Sequence, residues 1–484
     1  MKSVSLSQRI RASLSGFWRL RTRLQDPLVA FVCLALIFGL LFCVVSPPFF
    51  VLDESLHFSH AYQVSQGQLR PQKLSPVYYG GTMPQNVNDS MLKSLGFRTV
   101  QPNFRTTFIA DFQNKAPAHD STAPVPVIFN STAVYSPVPY LPQATGILVG
   151  RVLRLPPVFL LYLGRLFNLL VWIVLVAMAI RFLPFGKWAL VVIALLPTSL
   201  FQAASVSADA LTTGLAFLAT AMICKYVSEK KLLQNKQYML LFLVMVLLAL
   251  TKQSYFCFVL LVLALPWAKF RSRREYLKKT VAIIAVSLLL AAGWSLSVRK
   301  IDIMLPVLPN HPPINTAAQL RSMVTQPWHF GFATWNSYLT GRADTTVITF
   351  VGQFGRIYDL QLPFLVVVLA YVLVFIVLLS DETISKLKDW RRLKTVSAIV
   401  LFLTFFSITA ILYITYNVHN NHFVDGIQAR YFLPLMILLI PLAKLRKSHV
   451  LRLQAKPTLF LVGSTLLLII SLLMMIHRFY YAFA

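Results

Sequence analysis

The sequence predicts an all-α polytopic membrane protein of about eleven transmembrane helices (11–13), folded as one integral membrane domain, and three observations lead there. Hydrophobic residues make up 57% of the 484 and charged residues only 13%, about half the roughly 25% of a soluble domain. The apolar residues come in runs long enough to cross a hydrocarbon core of about 30 Å. Beside those runs lie short basic blocks. Of 45 Lys and Arg, 28 fall in segments 1–26, 181–187, 225–237, 269–279, 386–394 and 444–456. That is the positive-inside pattern. The net charge of +29 therefore reports topology, and nucleic acid is not an expected partner.

Placing the basic blocks in the cytoplasm orders the elements. Residues 1–27 form a basic cytoplasmic N-terminus, and the run at 28–46, long and without a small-residue cleavage site, reads as a retained first span. Segment 47–157 is then the first extracytoplasmic loop. Within it, 141–155 reads as an interfacial helix because Arg151 and Arg154 interrupt its apolar pattern. Spans near 158–181, 187–204 and 208–225 bring the chain back inside. The apolar stretch 238–268 lies between two basic blocks and must cross an even number of times. Two short spans meeting at Thr251-Lys252-Gln253 satisfy that. Span 280–298 leads to a second extracytoplasmic loop, 299–360, and spans near 361–380, 395–416, 429–443 and 457–476 complete the chain.

The two loops are rich in Pro and aromatic residues. Segment 47–142 holds twelve of the 27 prolines, with Tyr78, Tyr79, Tyr135 and Tyr140, and 299–360 carries Trp328, Phe330, Phe332, Trp335 and Tyr338. Such rings suit a membrane interface, and they also suit stacking on sugars. Cys33, Cys43, Cys224 and Cys257 all sit within apolar runs, so no disulfide framework is expected. Asn88 and Asn130 stand in Asn-x-Ser/Thr frames, which matter only in a eukaryotic secretory context.

With this topology the polar residues that break the apolar runs fall at one rim, the outer one. Asp53, Glu54, His57 and His60 follow span one; Asp209 and Lys252 sit at outer turns; Asp359 lies just before span 361–380; His419, His422, Asp425, Gln428 and Arg430 cluster at the outer start of span 429–443. Ionisable groups at a membrane boundary are kept by pairing or by facing a cavity. Asp53-Glu54 emerges after the rigid step Pro47-Pro48, and a carboxylate there can act as general base, or can simply complement a helix N-terminus. If 53–64 is helical, Asp53, His57 and His60 share a face. Lys252 and Arg430 are outer-side cations that positive-inside bias does not explain. A phosphate ligand would use them, and so would ion pairs with Asp209, Asp359 or Asp425. Asp53, His57, His60, His419 and His422 would supply oxygen and nitrogen ligands to a divalent metal, although no zinc-type spacing occurs and no other cofactor is implied.

These residues resemble a bacterial family of predicted membrane proteins, domain of unknown function 2142. The resemblance rests on Pro48, Asp53-Glu54, His57, Ala61-Tyr62-Gln63 and Gly67, on Tyr140-Leu141-Pro142-Gln143, and on Arg165 with Asn168. It continues through Pro197, Ser205-Val206-Ser207-Ala208-Asp209, Lys252, Gly352 through Gly355 to Asp359, Pro363 and Gly426-Ile427-Gln428-Ala429-Arg430-Tyr431. Between Gly355 and Asp359 a Trp-containing step is expected, and this chain has Arg356-Ile357-Tyr358 instead. The family in turn resembles the GT-C glycosyltransferases, multi-span enzymes with an acidic motif in the first outer loop and polyprenyl-phosphate-linked sugar donors.

The resemblance implies Asp53, with Glu54 beside it, as the catalytic acidic position. Lys252 and Arg430 are implied for the lipid phosphate, with His57, Asp209, Asp359, Gln428 and Tyr431 completing the substrate site. The expected function is transfer of a sugar from a polyprenyl-phosphate donor to a glycan or lipid acceptor on the outer face of the bacterial cytoplasmic membrane. The rivals are a transporter or flippase of lipid-linked saccharides and a non-catalytic subunit of an envelope-polymer complex. The topology is open to direct test. Cysteines introduced at 85–90 are expected to react with an impermeant maleimide on intact spheroplasts, and cysteines at 229–236 are not. Labelling of the second set from outside overturns the orientation.

Overall fold

The computed structural model describes residues 24–96, 123–303, 314–340, 343–355, 360–380, 390–443 and 456–481. Six described helices are long and apolar enough to cross a membrane: α1 (Pro27–Val45), α5 (Pro157–Phe182), α8 (Asp209–Ser228), α10 (Arg273–Val298), α15 (Trp390–Tyr416) and α16, which runs from Pro457 to Ile476 and continues in a wider turn to Tyr481. Shorter apolar helices lie between them, including α9 (Asn235–Thr251) and α14 (Phe364–Leu379). The protein is thus a mostly helical membrane protein.

The helix ends lie close to the bounds that apolar run length predicts, because length and composition are what a hydrocarbon layer selects. Three expected spans are built differently. The run 187–204 is broken into α6 (Lys187–Ala194) and α7 (Pro197–Ala203), since Pro197 lacks the N–H that would continue α6. The run 429–443 is mostly a 3₁₀-helix, Ala429–Leu438, and so is Gln253–Ala264, the second half of the expected short pair.

α8 forms the centre of the bundle, with 94% of its apolar window buried, packed chiefly against α5. α10 lies at the periphery, with 17% buried and Leu288, Leu289, Leu290 and Leu296 exposed. Leucines exposed in this way suit contact with lipid.

Between α1 and α5, residues 47–96 and 123–156 bring short strands in among the helices, and they correct the all-α expectation. After α2 (Glu54–Ser65) come β1 (Gln72–Lys73), β2 (Tyr79–Pro84), α3 (Gln85–Gly96), β3 (Pro124–Ile128) and α4 (Leu141–Val152). The strands form an antiparallel sheet in the order β1-β2-β3, with Gly81 opposite Val127 and Thr82 opposite Pro126. Pro126 is tolerated because β3 is an edge strand. Asn130, just past β3, is buried: its Oδ1 accepts from Tyr79 N at 2.7 Å, and its Nδ2 donates to Val77 O and Asp302 O at 2.9 and 2.7 Å. That side chain ties the sheet to the segment after α10 and is closed to a glycan.

α4 has twelve residues, about 18 Å of helix, which is too short to cross the core. It packs on α2 and α5. Gly146 and Gly150, four apart on one face, let the α5 backbone approach. A Cβ on Gly146 would stand 2.3 Å from the Leu163 carbonyl oxygen, and one on Gly150 would stand 2.5 Å from Leu160 Cδ2. Small residues at this spacing are a common means of close helix packing in membranes. Gly146→Ala is therefore expected to destabilise the protein by about 1–3 kcal/mol. Gly293→Ala on α10, where a Cβ meets nothing within 4 Å, is expected to be neutral or to stabilise by up to about 1 kcal/mol. Thermal unfolding of the two variants in detergent checks the contrast.

Candidate functional site

The site begins where α1 ends. After Ser46 the chain takes a step through Pro47, Pro48 and Phe49 to Asp53, and both Phe49 (φ 58°) and Asp53 (φ 64°) adopt left-handed backbone. A left-handed residue immediately before α2 sends the two adjacent carboxylates to different partners.

Glu54 turns into the bundle. Arg165 of α5 grips it at both oxygens, Nε to Oε1 at 2.8 Å and Nη2 to Oε2 at 2.6 Å. The Val206 amide also donates to Oε1 at 3.0 Å. The remaining donors of Arg165 go to carbonyls at and beyond the end of α1: Cys43 at 2.9 Å, Ser46 at 2.7 Å and Pro47 at 2.9 Å. Neither side chain of the pair is exposed. Helix C-termini leave carbonyls without intrahelical partners, and here an arginine side chain satisfies them. Glu54, expected beside Asp53 at the catalytic position, thus has both carboxylate oxygens engaged by Arg165 and the Val206 amide.

Asp53 turns the other way, into a row of alternating charges. Its Oδ2 accepts from Arg430 Nη2 at 2.6 Å. Arg430 Nε lies 3.5 Å from Asp209 Oδ2, and Asp209 Oδ1 accepts from Lys252 Nζ. Arg430 Nη1 also donates to Leu52 O at 3.1 Å and to Gln202 Oε1 at 3.4 Å. Two anions and two cations sum to zero, which is what makes a buried charge cluster tolerable. The row is graded in access: the side chains of Lys252, Asp209 and Arg430 are 4–6% exposed, and that of Asp53 is 35% exposed. Asp53 is the open end.

Aromatic rings surround Lys252, whose Nζ stands 5.2 Å from the Tyr135 ring centre and 5.1 Å from that of Tyr431. Contacts of this kind favour a cation and keep it desolvated. Tyr135 is fixed by its neighbours: Val134 O accepts from Gln253 Nε2 at 2.8 Å and Trp294 Nε1 at 2.9 Å, and Ser136 Oγ donates to Leu250 O. Tyr431 is fixed through its carbonyl, which accepts from Tyr255 OH at 2.8 Å. Gln428 precedes Arg430 in extended backbone, and its Oε1 is buried with no hydrogen-bond partner among the described residues.

His57 and His60 do not share an open face with Asp53. Both are buried in α2. His57 Nδ1 is hydrogen-bonded to Tyr140 OH at 2.8 Å, and its ring stacks on Tyr135. His60 Nδ1 donates to the Thr132 carbonyl at 2.9 Å. Burial, helped by the charges of Lys252 and Arg430, holds His57 well below the usual imidazole range, and burial lowers His60 to about 3. Burial likewise raises the hydroxyls of Tyr135 and Tyr140 above the usual phenol range. All four rings are thus neutral near pH 7. Among the described residues no three His, Cys, Asp or Glu side chains gather as a metal-binding group.

Asp425, the sequence neighbour expected to pair with Arg430, belongs elsewhere: its Oδ2 accepts from Asn421 Nδ2 at 2.8 Å. His419 faces Gln319. Asp359 lies outside the described residues. Two site residues carried no assigned role before the structure, Arg165 and Gln202. An arginine inside an apolar run was the available signal for the first.

A family model described as a predicted membrane protein, DUF2142, matches residues 36–439. The chain belongs to the DUF2142 family. The match covers Glu54, Arg165 and every residue of the charged row. Comparisons with curated proteins and with solved structures returned no match.

Within this DUF2142 protein the two carboxylates are expected to part company on substitution. Glu54→Gln leaves the Arg165 guanidinium buried without its counter-ion, a loss of about 3–5 kcal/mol. Asp53→Asn costs less, since Asp53 is the partly exposed end of the row and Arg430 keeps Asp209 beside it. Unfolding midpoints in detergent decide it. Equal losses would mean that Glu54 and Asp53 hold the fold alike.

Proposed function

We propose that the protein is a GT-C-type glycosyltransferase, with eleven spans and its N-terminus in the cytoplasm of a bacterial cell. Asp53 faces the extracytoplasmic side of the cytoplasmic membrane. The observation that carries this reading is the graded charge row, in which one carboxylate stays accessible beside two buried cations.

On this reading Asp53 takes the proton from an acceptor hydroxyl as that oxygen attacks the anomeric carbon. The bond from that carbon to the donor phosphate breaks, and the polyprenyl phosphate leaves with the electron pair. Lys252 has N–H donors beyond the one given to Asp209, and Arg430 has Nε at a long 3.5 Å from Asp209. These donors would meet the charge that develops on the departing phosphate. Asp209 holds the two cations together, while Tyr431 and Gln428 border them on the Arg430 side. His57, neutral and tied to Tyr140, supports Tyr135 beneath Lys252. The acceptor is a glycan or lipid of the envelope. Transport of lipid-linked saccharides calls for charges spread along a path through the membrane, whereas the buried cations Arg165, Lys252 and Arg430 pair with Glu54, Asp209 and Asp53 around the single step that follows α1.

The test is release of polyprenyl phosphate from a polyprenyl-phosphate-linked sugar by the purified protein. Asp53→Asn is expected to lower that release by about 10²–10⁴-fold, the usual cost of losing a positioned general base, while the protein stays folded. Wild-type turnover in a folded Asp53→Asn protein would remove Asp53 from the chemistry.

A further inference from the structure

Beyond α10 the chain forms two short helices, α11 (Thr316–Thr325) and α12 (Pro327–Trp335), followed by a wide turn, Asn336–Thr340. Both helices have one face inside the protein and one face bare. Gln319, Ser322, Phe330, Ala333 and Ser337 are buried. Leu320, Val324, Trp328, Phe332, Trp335 and Leu339 are each more than half exposed, at spacings of three and four. Such spacing lays a single apolar stripe along each helix.

The surroundings indicate what covers that stripe. Phe330, at the foot of α12, meets Phe406 of α15 edge to face at 5.4 Å. Phe406, Phe402 and Ile399 form the exposed flank of α15, one of the six membrane-length helices. The bare stripe therefore continues onto a lipid-facing surface. At ten and nine residues α11 and α12 are each about 15 Å long or less, too short to cross the core. Arg321 is the only Lys, Arg, Asp or Glu between 316 and 340. Two tryptophans on such a stripe fit the level of the lipid headgroups.

The buried face holds a loop of consequence. Gln319 Nε2 donates to Tyr413 O and Val418 O at 3.0 and 3.2 Å, and its Oε1 accepts from Asn420 N at 3.2 Å. Ser322 Oγ donates to Asn420 Oδ1 at 2.8 Å, and Ser337 Oγ accepts from Val424 N at 2.7 Å. This loop runs on through Gly426 to Gln428 and Arg430.

We propose that the exposed stripe of α11 and α12 seats this segment in the interfacial layer of the lipid bilayer, as an in-plane element whose inner face holds the loop leading to Arg430. The partner is the lipid surface itself. The inference stands apart from the glycosyl-transfer reading and needs no activity to test it.

The full-length protein is reconstituted into phosphatidylcholine vesicles brominated either near the glycerol backbone or near the acyl-chain ends. Its tryptophan fluorescence is compared with that of a Trp328→Phe/Trp335→Phe variant. The difference signal is expected to be quenched about twofold more by the shallow bromines than by the deep ones, as for an amphipathic segment lying in the interface. A nitroxide on Phe332→Cys is expected to be reached by oxygen more than by a water-soluble nickel chelate, and this reading stands even if the double variant folds poorly. No quenching from either depth, with Phe332→Cys open to the chelate, overturns the proposal. Stronger quenching by the deep bromines overturns it as well, since the segment would then lie in the core. Disulfide trapping of Trp335→Cys between two copies overturns it in favour of self-association.

Discussion

A guanidinium inside a membrane protein has five N–H donors and almost no water to receive them, and the Arg165 side chain meets that demand by gathering the chain around it. It takes two oxygens from Glu54 and three carbonyls from the end of α1 and the step beyond. Glu54, in turn, accepts the Val206 amide. Four chain segments are therefore fixed by one cation: the end of α1, the start of α2, the first half of α5 and the turn before α8. A buried pair of this kind is expensive to break and need not be favourable against an apolar replacement. What it supplies is position. With residues 46 and 54 both held, the intervening step has little freedom, and its left-handed turn at Asp53 follows from that constraint.

The second constraint is the break in helical winding next to each cation of the charged row. Lys252 and Gln428 have extended backbone, with φ near −144° and −126°, and each is followed by a long 3₁₀ stretch. Such stretches rarely exceed three or four residues, because their hydrogen bonds are poorer. They rise about 2.0 Å per residue against 1.5 Å in an α-helix, so twelve residues reach about 24 Å where α would give about 18 Å. Backbone departures of this kind survive at membrane depth only where protein shields them. The stretch after Lys252 is shielded: it packs against α9, α10 and α15, with Tyr255, Phe258 and Leu261 buried. The break also sets Lys252 in extended backbone and Arg430 in the first turn of a 3₁₀-helix, where each side chain can turn toward Asp209.

Much of this was legible in the sequence, and the parts that were not have physical reasons. The six long apolar helices could be read because the bilayer imposes one length scale on a helix that crosses it. The gathering of Asp53, Asp209, Lys252 and Arg430 followed from topology alone, since alternating basic blocks put all four at one end. Their pairing could not be read so. Asp425 is five residues from Arg430 and binds Asn421, while Asp53, 377 residues away, is the carboxylate that Arg430 holds. The burial of Glu54 could not be read either, because adjacency in sequence does not reveal that Asp53 itself is left-handed and turns the two side chains apart. The small sheet escaped because its strands are two, six and five residues long and carry prolines, so no alternating pattern survives.

The strain at Asp53 has a further consequence. A left-handed residue other than glycine costs about 1–2 kcal/mol, least for Asp and Asn, whose short polar side chains tolerate it. Had residue 53 been helical, its carboxylate would have followed the winding of α2, the helix that places His57 and His60 in the buried interior. The turn instead carries the carboxylate to Arg430 and leaves it partly open, while Glu54, one residue later, enters the core. Two neighbouring acids thus acquire opposite environments from a single backbone angle. The two cations of the row that results are held by separate elements, Lys252 by the contacts around Val134 and Arg430 by the loop under α11 and α12. Its geometry is therefore as fixed as those two anchors, and the second of them rests on the buried face of α11 and α12.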